Sequence, residues 1–177
     1  MLFTTVIASV MSSPCADQTR LQVLSDDEGS VTLGWLARDV LYTRFSGGLS
    51  AAIGMAYAES FRELLSTVSS LSYFADSSEL SYYEVLARSA FARLILESRR
   101  KFSALVMLTS SVGSAQAGQA IATAIGGPLN LLSDALEFEQ CLLAVAPLAK
   151  QRLDSRLWER RSPSSSPVSS ANFRSKA

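Results

Sequence analysis

Apolar side chains recur at three- and four-residue spacing over much of the chain, and that spacing predicts helices. Leu33, Leu36, Ala37, Val40 and Leu41 form the first stripe, with Arg38 and Asp39 off it. Ser30 stands where an N-cap is wanted, after an acidic cluster that suits the positive end of a helix, and Ser46-Gly47-Gly48 supplies the stop. A second stripe runs through Leu49, Ile53, Ala56, Tyr57, Phe61, Leu64, Val68 and Leu71, with Glu59, Arg62 and Glu63 opposite. A third comprises Leu80, Tyr83, Ala87, Ala90, Phe91 and Leu94; ahead of it Asp76 and Glu79 have the spacing of a capping box. Glu84 with Arg88, Arg93 with Glu97, and Glu97 with Lys101 are i,i+4 pairs, each worth a few tenths of a kcal/mol on a wet helix face. Because the link Tyr73–Ser78 is short, residues 49–73 and 79–101 are expected to form a long antiparallel helical hairpin.

The pattern changes after Arg99-Arg100-Lys101. From Phe102 to Ser133 no position is charged. Within that stretch Ser110, Ser114, Gly118, Ala122 and Gly126 fall at every fourth position, the small-xxx-small spacing that lets helices approach closely. These five are the expected helix-packing residues. The expectation is a central helix of a soluble bundle, its Ser and Gln side chains bonded inside. The alternative is a membrane-inserting segment, for Ala104–Ile125 is long enough to span, although Ser, Thr and Gln make it unusually polar. Leu129 to Arg161 reads as a closing helix, acidic near its start at Asp134, Glu137 and Glu139 and basic near its end, with Pro147 dividing or kinking it.

The ends differ from the middle. Residues 1–16 are uncharged and apolar, but no Lys or Arg precedes the run, so a packed apolar segment is favoured over a signal peptide. Residues 17–29 form an acidic loop; Arg20 to Leu24 has the composition of a brief strand with no evident partner. Residues 162–177 are Ser- and Pro-rich and read as a disordered tail, in which Ser162 and Ser166 precede prolines as candidate phosphorylation sites. The expected fold is therefore all-α: a helical bundle of four to six helices over residues 30–161, between an N-terminal segment at 1–29 and a tail at 162–177.

Composition narrows the chemistry. The 177 residues include no His, and sixteen Lys and Arg balance sixteen Asp and Glu. Without His there is no Ser-His-Asp or Cys-His machinery and no His-based zinc site. Ser98-Arg99-Arg100-Lys101 matches S-x-x-K, yet the companion S-D-N and K-T-G strings are absent, and a solvated basic rim is the expectation. Glu59 with Glu63 and Asp134 with Glu137 have helical spacing, but di-iron bundles also need Glu-x-x-His, so these read as surface charges. Cys141 lies among Phe138, Leu142 and Leu143 and reads as core. Neither Gly-Gly pair fits a phosphate-binding loop. No cofactor, metal or catalytic residue is expected.

What remains is association. Hydrophobic residues make up 48% and charged ones 18%, so some apolar surface is expected to stay uncovered in a monomer. The expected function is that of a non-enzymatic structural or accessory protein, acting as a homo-oligomer or with a protein partner, in the cytoplasm rather than secreted. The alternative is membrane association through residues 102–133. The excess of Ser, Leu and Arg, each with six codons, is the mark nucleotide bias in an overlapping viral frame would leave. The likeness to small helical capsid proteins is one of outline only. Nucleic acid is a minor candidate partner, through Arg152, Arg156, Arg160 and Arg161.

Overall fold

The computed structural model describes residues 21–126 and 129–153, and they form an α/β fold rather than the expected helical bundle. The elements in chain order are β1 (Leu21–Ser25), β2 (Gly29–Ala37), β3 (Val40–Leu49), α1 (Ala51–Ser66), β4 (Leu71–Tyr83), α2 (Val85–Ser98), β5 (Phe102–Thr109), α3 (Val112–Ile125), β6 (Leu129–Leu132), α4 (Ala135–Val145) and α5 (Ala149–Leu153). One turn of 3-10 helix, Arg99–Lys101, joins α2 to β5. The six strands make one sheet in chain order. β1, β2 and β3 are an antiparallel meander, and β3 through β6 are parallel.

The parallel half dictates the layering. Parallel neighbours need crossover helices, and crossovers of one hand place those helices on one face. α1 and α2, with Ile121 of α3, cover one face; α4 and α5 cover the other. Strands β3, β4 and β5 are thus apolar at both parities. In β3, Leu41 and Phe45 meet α1 and α2 while Val40 and Tyr42 meet α4. In β4, Leu71, Tyr73 and Ala75 face one core and Phe74 the other.

This two-sided burial explains the corrections. The stripe Leu33 to Leu41 is a hairpin of β2 and β3 around Arg38 and Asp39, and Ser30 lies in β2, paired with Ser46. The second predicted helix exists as α1, but its cap is Ser50, whose hydroxyl accepts from Ile53 N at 3.2 Å, and its last turn stops short of Leu71, which opens β4. The third begins at Val85; Asp76 and Glu79 are strand residues of β4, not a capping box. No antiparallel hairpin forms, because β4 separates α1 from α2. The uncharged stretch 102–133 is β5, α3 and β6. Residues 129–161 open with β6, and Asp134 caps α4, accepting from Leu136 N at 2.7 Å and Glu137 N at 3.2 Å. Pro147 lies between α4 and α5. β1, left without a partner by the sequence, pairs with β2. The tail at 162–177 and residues 1–16 lie outside the described residues.

The larger core is aromatic at its centre. Tyr57 of α1 and Tyr73 of β4 are fully buried and share a hydrogen bond of 2.7 Å, with the Thr43 hydroxyl 3.3 Å from Tyr57. Phe61 meets the Tyr73 ring edge-on at 4.8 Å, and Phe45 meets Tyr57 at 5.4 Å. The helices sit close to each other: a Cβ on Gly54 of α1 would lie 2.3 Å from Ala87 Cβ of α2. Lys101 closes α1 from outside, donating to Leu65 O and, at 3.2 Å, to Val68 O, where a cation suits the helix C-terminus. The basic rim of the sequence reading is in part a helix cap.

Two outcomes follow from this core. Gly54→Val is expected to cost about 2–3 kcal/mol by forcing α1 off α2, while exposed Ala52→Val stays within about 1 kcal/mol, measured by urea unfolding. Burial pushes the Tyr73 phenol up to about 12 and holds the Tyr57 phenol well above its ordinary 10. A folded value above the unfolded one gives stability that is complete below pH 10 and is lost as pH rises through the folded value. Unfolding free energy is expected to fall between pH 10 and 12, with a shallower slope in Tyr73→Phe.

Candidate functional site

At the carboxyl ends of parallel strands each strand passes into the loop that leads to its helix, and side chains of several elements meet there. Here that edge gathers the ends of β3, β4 and β5 and the first turns of α1, α2 and α3. β4 is long enough to overhang: Leu80, Tyr82 and Tyr83 pair with Gly47, Gly48 and Leu49 of β3, whereas β5 pairs with β4 only as far as Ser77. The α3 start fills the space beside the overhang, and the Tyr83 hydroxyl donates to Gly113 O at 3.2 Å.

On the α4 face, the strand ends carry a polar cluster. The Tyr42 hydroxyl donates to Asp76 Oδ2 at 2.9 Å, and Arg44 pairs with Glu79 and lies 4.0 Å from the same Asp76 oxygen. Asp76 Oδ1 accepts from Ser78 N at 3.0 Å and from Ser78 Oγ at 2.6 Å. The Ser110 hydroxyl donates to Ser78 O at 2.6 Å, tying the β5–α3 loop to β4. Burial, reinforced by the Asp76 charge, raises the Tyr42 phenol far above its ordinary value, so it stays a donor. Both Asp76 oxygens are occupied. The cluster fastens β3, β4 and the loop together.

A second polar knot closes the β1–β2 turn onto α1. Asp26 Oδ1 accepts from Glu28 N and Gly29 N, and the Ser50 hydroxyl donates to Asp26 Oδ2 at 2.6 Å. Burial pushes the Asp26 carboxyl upward, but the hydrogen bonds from Ser50, Glu28 and Gly29 outweigh it and hold the group below its ordinary value. Glu84 Oε2 accepts from Ala51 N at 2.7 Å, so the α1 terminus already holds its own anion. Tyr82 donates to Glu28 across the same edge.

On the α2–α3 face lies a small apolar cavity of about 50 Å³, lined by Phe45, Leu49, Leu80, Phe91, Met107 and Ile121 together with Ser77, Tyr83, Arg88 and Gly118. Ser77 is 1% exposed, and its hydroxyl is the one buried side-chain polar atom without a hydrogen-bond partner among the described residues. Leaving such a group unpaired costs about 1–3 kcal/mol. Around the edge stand exposed apolar side chains: Tyr82 at 48%, Val85 at 65%, Leu86 at 63% and Val112 at 75% exposure.

The expected helix-packing residues do not form one helical stripe. Ser110 precedes α3 and bonds to β4. Gly118 does permit a close approach, though to a strand: its Cβ would lie 2.4 Å from Leu131 Cδ2 of β6. Ala122 is half-buried on α3, Ser114 lies in its first turn, and Gly126 follows it with φ +57°, a left-handed residue ending a helix. Arg152 is in α5; Arg156, Arg160, Arg161, Ser162 and Ser166 lie outside the described residues. Cys141 is half-buried against the smaller core. Among the described residues no group of three or more carboxylates or thiols is placed to hold a metal. No described helix is long and apolar enough to cross a membrane. Sequence reasoning missed Ser77, Tyr42 and Arg44; the alternation Tyr73, Ala75, Ser77 against Phe74, Asp76 was the available signal.

A mixed six-stranded sheet with three helices on one face and two on the other defines an α/β protein of SpoIIAA-like fold. The likeness is to the crystal structure of an uncharacterized protein of the DUF3478 family with a SpoIIAA-like fold from Shewanella loihica PV-4, at a TM-score of 0.54 and 15% sequence identity, covering 67% of this chain and 98% of that one. At that identity the likeness shows the fold alone. No protein-family model and no curated protein matches the chain.

Removing one strut of the polar cluster tests its structural role. Tyr42→Phe leaves Asp76 Oδ2 short of a donor and is expected to cost about 2 kcal/mol, a charge-assisted bond lost at a buried phenol, measured by chemical denaturation.

Proposed function

We propose that the chain is a non-enzymatic module that works by polypeptide association, with a second copy of itself as the first partner. The observation that supports this reading is the exposed apolar rim at the carboxyl edge of the sheet, Tyr82, Val85, Leu86 and Val112. Tyr82, Val85 and Leu86 are near neighbours in the chain, and the Tyr83–Gly113 hydrogen bond brings Val112 beside them. Contiguous apolar surface with polar surroundings is the mark of an interaction site, and aromatic and aliphatic side chains supply most of the energy of such contacts. Glu28, Glu84 and Arg88 lie beside the rim and give it charges of both signs. Two copies related by a two-fold axis can pair opposite charges around an apolar centre.

The polar residues nearby support the same reading. Asp76 and Asp26 spend their oxygens on hydrogen bonds within the fold, and the phenols of Tyr42, Tyr57 and Tyr73 are held protonated. An acid or base for catalysis needs a value near the working pH, and the three phenols are held above it.

Sedimentation of the full chain at 1–50 µM provides the test. The expected result is a concentration-dependent dimer that Leu86→Glu and Val112→Glu shift to monomer, with at least a tenfold weaker association constant and unchanged thermal stability. A monomer throughout, or a dimer indifferent to both substitutions, overturns the reading.

A further inference from the structure

The cavity between α2 and α3 adjoins the apolar rim through one residue. Tyr83 follows Tyr82 of the rim in β4, lines the cavity, and donates to Gly113 O beside Val112. The cavity is partly open to solvent, and the exposed side chain of Arg88 stands at its border. The Ser77 hydroxyl is sealed off, so an occupant meets almost only carbon, and water finds no set of partners there. The volume sets the size of that occupant. A closed apolar cavity of roughly 150 Å³ takes the six carbons of benzene, so about 50 Å³ suits roughly two to four carbons, the end of one aliphatic side chain.

Of the four rim side chains, one fits. Tyr82 is too large, and its hydroxyl is engaged by Glu28. Val85 and Val112 branch at Cβ, which keeps their methyls close to the backbone. Leu86 carries its methyls one carbon further out and is 63% exposed. Leu86 and Arg88 are two residues apart, so they project from opposite sides of α2, and a copy cannot fill its own cavity with Leu86. Charge points the same way. Arg88 lies 5.9 Å from the Tyr83 ring centre and makes no ion pair among the described residues, and Glu84 stands two residues before Leu86. We infer, on the self-association proposed above, that the cavity receives Leu86 of a second copy, whose own cavity receives Leu86 in return about a two-fold axis. The exchange brings Glu84 of each copy toward Arg88 of the other, at the border of a contact whose centre is apolar.

Sedimentation equilibrium of the full chain tests the exchange. Leu86→Ala shortens the inserted side chain and Ile121→Trp fills the cavity, and each is expected to weaken the dimer at least about tenfold. Combined in one chain, they are expected to stay within about threefold of the weaker single variant, because both disable the same contact. Xenon supplies a measurement that needs no filled cavity. In monomeric Leu86→Glu it is expected to shift the methyl resonances of Leu80 and Ile121, and in the wild-type dimer to leave them unmoved. A monomer at every concentration overturns both this inference and the reading beneath it. This inference alone is overturned by a dimer that Leu86→Glu and Val112→Glu dissociate but in which xenon still reaches Leu80 and Ile121. Folded Ile121→Trp associating as the wild type does, or full additivity of the two substitutions, overturns it equally.

Discussion

The parallel pairing of β3 with β4, and of β4 with β5, is the constraint on which the rest of the molecule depends. Parallel strands cannot be joined by a tight turn, so each must be followed by a crossover, and the crossovers of this chain are α1, α2 and α3. Because they lie on one face, the other face would be bare without α4 and α5. The sheet is therefore buried on both sides, and the smaller core, built on Phe74, Phe138 and Tyr42, exists to cover what the crossovers leave. The antiparallel meander at the other side needs only turns, and its β1–β2 corner is fastened to α1 by Asp26 and Ser50.

The same geometry concentrates loops at one edge and divides that edge by face. Asp76 and Ser77 are consecutive, yet the pleat places them in different worlds. Asp76 joins Tyr42, Arg44 and Ser78 in a satisfied polar cluster; Ser77 is left among apolar walls. A carboxylate that holds three donors is a fastener, while a buried hydroxyl that holds none is a local cost to the fold. Of the apolar rim, Tyr82 belongs to the overhang of β4 beyond β5, while Val85 and Leu86 open α2 and Val112 opens α3.

Parts of this were legible in the chain. The stripe Ile53, Tyr57, Phe61 is helical and is the buried face of α1. Pro147, expected to divide or kink the closing segment, lies between α4 and α5, whereas Asp134, read as lying within a helix begun at Leu129, is the cap of α4. The stripe at 33–41 misled, and the uncharged stretch from Phe102 hid a strand, for one reason. A strand buried on both faces is apolar at odd and even positions alike, and such a run also satisfies three- and four-residue spacing. Val40, Leu41 and Tyr42 belong to two different cores, a fact that no helical wheel represents. In the same way the spacing of Asp76 and Glu79 fits a capping box, but across the sheet both carboxylates face Arg44, and the pairing holds them extended.

The chain by itself determined the buried face of α1, the break at Pro147 and the lack of histidine, because these depend on residue type and near-neighbour spacing. Only the tertiary structure decided that strands β5 and β6 flank the small-residue helix of the uncharged stretch, that Gly118 admits a strand rather than a helix, and that Ser77 and Asp76 fall on opposite faces of the sheet. The physical reason is that backbone pairing between strands distant in sequence contributes energy that local periodicity does not encode, and that pairing fixes which side of the sheet each side chain occupies.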